Sequence, residues 1–161
     1  MDTAIKQSAN IEDRQITATR TFDAPRELLW KAWTDPVHIS NWWGPDGFTT
    51  TTESMDLRPG GVWKHTMHGP DGTDYPNKAI YVEVVEPERL VYTNSGSTDG
   101  GPAAKFESIV TFTEKDGKTE LTVLMTFETA ELRDKIAEEY GAVEGLHQTL
   151  ERLKEFLANA E

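Results

Sequence analysis

Four histidines (His38, His65, His68 and His147) hold most of the side-chain chemistry open to this sequence. There is no cysteine, hence no thiolate nucleophile, disulfide or thiolate metal site. No pair of histidines shows HxxxH or HExxH spacing. His65 and His68 are three apart on an expected strand and so point to opposite faces. Neither a metal nor any other cofactor is therefore expected. GxSxG and GxxxxGK[ST] are absent, and Gly60-Gly61 and Gly100-Gly101 read as turns rather than phosphate cradles. Two histidines stand out. Alternation in Val62 to His68 puts Trp63, His65 and Met67 on one face and Lys64, Thr66 and His68 on the other. His147 falls in an apolar helical stripe between Val143 and Leu150. Facing one cavity, either ring could donate to a ligand carbonyl, act as a general base or titrate near neutral pH. Each is more readily read as a satisfied core or rim histidine. Glu83 shares parity with Tyr81 and Val85. It is either an acid/base partner for His65 or a solvated strand carboxylate, and the cost of burying an unpaired carboxylate favours the second.

The elements that must position these residues follow in a simple order. Gln15 to Phe22 alternates as a strand, with β-branched threonines on one parity. Asp23-Ala24-Pro25 predicts a helix start, with proline near the first helical position and Asp23 beside the positive helix end. Asp35-Pro36 predicts a second start, with Asp35 as N-cap, and Gly44-Pro45 stops that short helix. Between Phe22 and Gly44 lie Trp30, Trp33, Trp42 and Trp43, four of the five tryptophans. Trp30 and Trp33 are expected to anchor the core. Adjacent residues on a helix cannot face the same way, so one of Trp42 and Trp43 is expected to line a pocket or its mouth while the other packs or sits exposed.

Six further strands are predicted over Thr49–Leu57, Val62–His68, Ala79–Val85, Leu90–Thr93, Phe106–Thr113 and Thr119–Phe127. The last two are joined by the turn Lys115-Asp116-Gly117-Lys118. Glu131 to Ala160 switches to helical spacing, with a stripe of Leu132, Ile136, Tyr140, Val143, His147, Leu150 and Leu157, widened by Leu146 and Leu153. Gly141 and Gly145 are expected to bend it or to admit a close neighbour. The glycine-rich loop Ser95 to Ala104 is either a gate over the pocket mouth or disordered.

The chain has 161 residues, enough for one domain with one core. Residues 1–12 are expected to form a flexible tail and 13–161 a single domain. A formal charge of −12 argues against nucleic acid and anionic membranes as partners. No apolar run approaches a membrane span, and the N-terminus lacks the order of a signal peptide, so a cytoplasmic location is expected.

FDAPRELLWKAWTDP, the NWWGP around Trp42-Trp43, DLRPGGVWKHTMHGPDG, EVVEPERLVYT, SIVTF and TELTV occur in that order over nearly the whole chain. Together they resemble a START-like (SRPBCC) domain of the group named after the C-terminal domain of the heat-shock-protein-90 ATPase activator. The resemblance implies an α+β helix-grip fold: a curved antiparallel sheet, in the order β-α-α-β-β-β-β-β-β-α, around a long C-terminal helix with a cavity between. It also implies a choice of roles, since the superfamily includes hydrophobic-ligand binders, cyclases and chaperone partners. The eukaryotic activator has a separate N-terminal domain that contributes to chaperone binding. This sequence leaves no room for one, which weakens a chaperone role.

The expected function is binding of a hydrophobic or aromatic small molecule. The expected lining is Trp43, Trp63, His65, Met67, Tyr92, Phe112, Met125, Val143 and His147. Two alternatives stand beside it. One is a cyclase, dehydratase or hydrolase using His65 or His147; the other is a protein-interaction module with a chaperone or other protein as partner. Convergence of His65, Glu83 and His147 would mark the first, and an exposed apolar patch the second.

Overall fold

The computed structural model describes residues 14–44, 46–94, 106–139 and 142–160. The expected N-terminal tail and the loop Ser95 to Ala104 lie outside them. Strand β1 (Gln15–Phe22) leads into helices α1 (Arg26–Thr34) and α2 (Pro36–Ser40). Six strands follow: β2 (Thr49–Met55), β3 (Val62–His68), β4 (Asp74–Val85), β5 (Arg89–Asn94), β6 (Phe106–Lys115) and β7 (Lys118–Phe127). Helices α3 (Ala130–Glu139) and α4 (Ala142–Ala160) end the chain.

The seven strands form one antiparallel sheet in the order β1-β7-β6-β5-β4-β3-β2. It is a meander from β2 to β7, closed by β1 pairing back onto β7. This is the helix-grip architecture, with the helices against one face of the curved sheet. Register shifts at Thr52/Ser54 in β2 and Tyr81/Glu83 in β4 mark bulges, which bend a sheet and increase its twist. The β6–β7 turn puts Asp116 at φ 52° and Gly117 at φ 80°, the paired positive values of a two-residue type I′ turn.

The core lies between the concave face and the helices. Leu29, Trp30, Ala32 and Trp33 of α1 are buried, as are Leu150, Leu153 and Leu157 of α4. Asp35 caps α2 by accepting from the backbone N–H groups of Val37 (2.9 Å) and His38 (3.2 Å), with Pro36 at the first helical position.

Three details differ from the sequence pattern. Helix α1 begins one residue after Pro25, which takes the N-cap position in an extended conformation with no side-chain cap bond. Proline there has no side-chain acceptor to offer. Strand β4 starts at Asp74, five residues before the expected Ala79, because Asp74 to Lys78 pair with His68 to Lys64 of β3. The expected long C-terminal helix is described as two helices, α3 and α4, and the expected bend at Gly141 lies outside the described residues.

Candidate functional site

The sheet register assembles the site. In β3, Trp63, His65 and Met67 face the helices. His65 lies opposite Asn77 of β4. On the far side, Tyr92 of β5, Ser108 of β6, Met125 of β7 and Ile16 of β1 form one row across four strands. Asn94 and Phe106 form the neighbouring row. Between these rows and α4 lies a cavity of about 210 Å³. Trp33 of α1, Trp43, Gly44, and Leu146 and Thr149 of α4 complete its wall, with Val123 behind.

Aromatic rings shape the cavity. Trp42 is fully buried, and its Nε1 donates to Ala32 O at 3.1 Å. Trp33 meets it edge-on at 4.8 Å and meets Trp43 at 5.9 Å. Trp43 leans on Trp63 at 5.1 Å, so a continuous indole wall runs from α1 to β3. Edge-to-face pairs such as these add to the burial of their area.

His65 is 3% exposed. Its ring stacks on Trp63 at 3.8 Å and 19°, and its Nδ1 is buried with no partner. Burial holds its pKa down at about 3 against the usual 6.5, so the ring is neutral at physiological pH. Asn94 Nδ2 donates to Ser108 Oγ at 2.9 Å. The neighbouring Tyr92 hydroxyl is pushed up to about 12 by burial, eased by Trp33 and Ser108 beside it. Trp33 Nε1 itself is buried without a partner in hydrogen-bonding geometry. The loop carrying Trp43 is tied to α4: Arg152 Nη1 donates to Gly44 O at 2.8 Å, and Asp46 N donates to Gln148 Oε1 at 3.0 Å. Gly44 sits at φ 105°, a conformation that favours glycine, and a Cβ there would touch Met67 and Phe48 at 3.4 Å.

Of the expected lining residues, Trp43, His65, Met67, Tyr92 and Met125 border the cavity. Trp63 instead backs His65, with its Nε1 donating to Thr52 Oγ1 at 3.2 Å. Phe112 is a core residue between Trp30 (5.5 Å) and Trp33 (6.1 Å). Val143 and His147 are exposed. With Leu150, Leu153 and Leu157 as the buried line, His147 lies about a quarter turn away, on the solvent side of α4. Leu146 and Thr149 take the cavity-facing positions. Glu83 is exposed and accepts from Arg89 Nε at 2.6 Å. The bulge after Tyr81 breaks the parity between the two residues, so Tyr81 faces in and Glu83 out. His65, Glu83 and His147 are thus not brought together.

The pattern missed Trp33, assigned to the core alone, and the polar members Asn77, Asn94, Ser108 and Thr149. Register was the signal that could have found three of them: Ser108 faces Tyr92, Asn77 faces His65, and Asn94 lies two residues beyond Tyr92. A hydroxyl–imidazole–carboxylate chain does occur, but on the solvent face. His68 Nδ1 lies 2.7 Å from Asp74 Oδ1 and its Nε2 2.8 Å from Thr51 Oγ1. None of its members borders the cavity. Among the described residues, the exposed large apolar side chains are Val37, Val82, Val85 and Val143, and no helix is long and apolar enough to cross a membrane.

A seven-stranded antiparallel sheet gripping a C-terminal helix, with an aromatic-walled cavity held between, defines a START-like (SRPBCC) domain. The chain belongs to the family described as activator of Hsp90 ATPase homolog 1-like protein, whose model matches residues 23–158. Similar solved structures include a Mycobacterium smegmatis protein, 29% identical, covering 94% of this chain and 96% of that one with a TM-score of 0.82. A solution structure from Arthrobacter aurescens is 26% identical, with 93% and 89% covered and a TM-score of 0.86. A Nitrosomonas europaea protein is 26% identical, with 92% and 96% covered and a TM-score of 0.81. No functionally curated protein matches the chain in sequence.

Proposed function

We propose that this domain binds a small hydrophobic or aromatic molecule between the sheet and α4. The observation that carries this reading is the cavity of about 210 Å³ walled by Trp33, Trp43, Tyr92, Phe106 and Met125. Apolar walls with a few polar groups are the usual composition of small-molecule sites. Binding works by withdrawing apolar ligand surface from water. A ligand hiding about 150–250 Å², as a buried aromatic side chain does, gains about 4–6 kcal/mol at ~25 cal/mol per Å², from which the cost of association is subtracted. The polar members, His65, Asn94 and Ser108, set its pose.

Native mass spectrometry of the protein purified from its own host tests this directly. The expected result is a retained mass that is released on unfolding. Titration of the stripped protein with small aromatic compounds is expected to change tryptophan fluorescence saturably through Trp33 and Trp43. No retained mass, together with flat fluorescence across such a panel, would remove the reading.

A further inference from the structure

The cavity wall narrows the ligand beyond its being apolar, an inference that rests on the cavity being a binding site. Among the described residues, none of the side chains lining it is a carboxylate, ammonium or guanidinium. A charged ligand group would enter without a counter-charge and lose its hydration, which is expensive. The polar groups that the described walls offer are neutral, and His65 is the most informative of them.

The two nitrogens of that ring are not equivalent. Nδ1 is sealed and has no hydrogen-bond partner, while the ring as a whole borders the cavity. A neutral imidazole carries one N–H and one lone pair. Orphaned buried N–H groups are rarer than under-satisfied acceptors. The tautomer that leaves the smaller deficit therefore puts the lone pair on sealed Nδ1 and the proton on Nε2. Stacking on Trp63 at 3.8 Å and the edge contact with Trp43 at 6.3 Å hold the ring plane, so the donor direction is preset. Size adds a limit. A dry apolar cavity of about 150 Å³ takes benzene; at about 210 Å³ this one has room for somewhat more than a single ring.

We propose that the ligand is an uncharged compound of one or two rings whose oxygen, a ketone or similar acceptor, accepts a hydrogen bond from His65 Nε2–H.

Three probes of one skeleton test this on the full chain: 1-indanone, indane, and indane-1-carboxylate. Binding is followed through the indole N–H resonances of Trp33 and Trp43. The ketone is expected to bind about tenfold more tightly than the hydrocarbon, the worth of one well-placed hydrogen bond. The carboxylate is expected not to bind at the same concentrations. His65→Phe keeps an aromatic ring on Trp63 and removes the donor, so it is expected to abolish the roughly tenfold preference for the ketone over indane. Equal binding of indane and indanone to the unmodified protein overturns this inference and leaves the binding function standing. Tighter binding of the carboxylate overturns it in the same way. No response to any of the three overturns this inference, and joined with no retained mass in native mass spectrometry it removes the binding function as well. If His65→Phe fails to fold, the comparison on the unmodified protein decides alone.

Discussion

His65 is a titratable side chain kept neutral by its surroundings, and that leaves a mark on stability. Its pKa is held at about 3 when folded, against 6.5 ordinarily. Between those values the unfolded chain binds the extra proton and the folded one does not, so stability rises with pH across that window. The contribution is complete above pH 6.5 and is lost as pH falls toward 3. From pH 7 to pH 5 the loss is about 2 kcal/mol. Urea unfolding at pH 7, 6 and 5 measures it, above the range where most carboxylates titrate. His65→Phe is expected to flatten this slope; an unchanged slope in the variant would assign it to other groups. The adjacent tryptophans divide in the same manner. Trp42→Ala removes a fully buried indole and its bond to Ala32 O, and is expected to cost about 3–5 kcal/mol. Trp43→Ala acts on a half-buried cavity wall and is expected to cost less stability but to weaken binding of an aromatic probe. Chemical denaturation and a binding titration on both variants separate the two roles.

Elements carry the next set of effects. Helix α2 is five residues long and depends on Asp35, whose carboxylate takes two of its free N–H groups. Asp35→Ala is expected to cost about 1 kcal/mol, read as a lower urea midpoint with an unchanged m-value. The β2–β3 connection makes a sharper test. Gly60 has φ 85° and open space around it, so alanine there meets only the backbone penalty, about 1–2 kcal/mol. A Cβ on Gly61 would lie 2.0 Å from Asp56 O, an overlap with backbone that only a shifted loop relieves. Gly61→Ala is expected to exceed about 3 kcal/mol, and thermal unfolding of the two variants ranks them. These elements also show what could be read in the chain beforehand. The parity of β3 was legible because Val62 to His68 runs without a bulge. The outward orientation of Glu83 was legible from the cost of burying a carboxylate but not from parity, because one extra residue in β4 separates its parity from that of Tyr81. His147 was misplaced because apolar residues on α4 fit two neighbouring stripes: Val143 and Leu150 bracket it, while the buried line runs through Leu150, Leu153 and Leu157.

At the scale of the whole molecule, the ordered segments along the chain made the helix-grip architecture legible, while the polar half of the cavity depends on which strand pairs with which. Ser108 next to Tyr92 is sixteen residues away in sequence and directly opposite in register. That arrangement couples the cavity to global stability, since its wall draws on α1, α4 and five strands at once. A ligand that binds only the folded state adds about 2.7 kcal/mol at a hundred times its dissociation constant. For a chain of this length, that corresponds to a rise in Tm of about 5–10 °C. Leu146 is a half-buried wall residue on α4, and Leu146→Trp is expected to fill the space with its own ring. Differential scanning fluorimetry with 1-indanone is then expected to show the rise for the unmodified protein and none for the filled variant. An equal rise in both would place the bound molecule elsewhere on the protein, because a cavity already occupied by an indole cannot accept a second ring system without losing the packing that holds the sheet against α4.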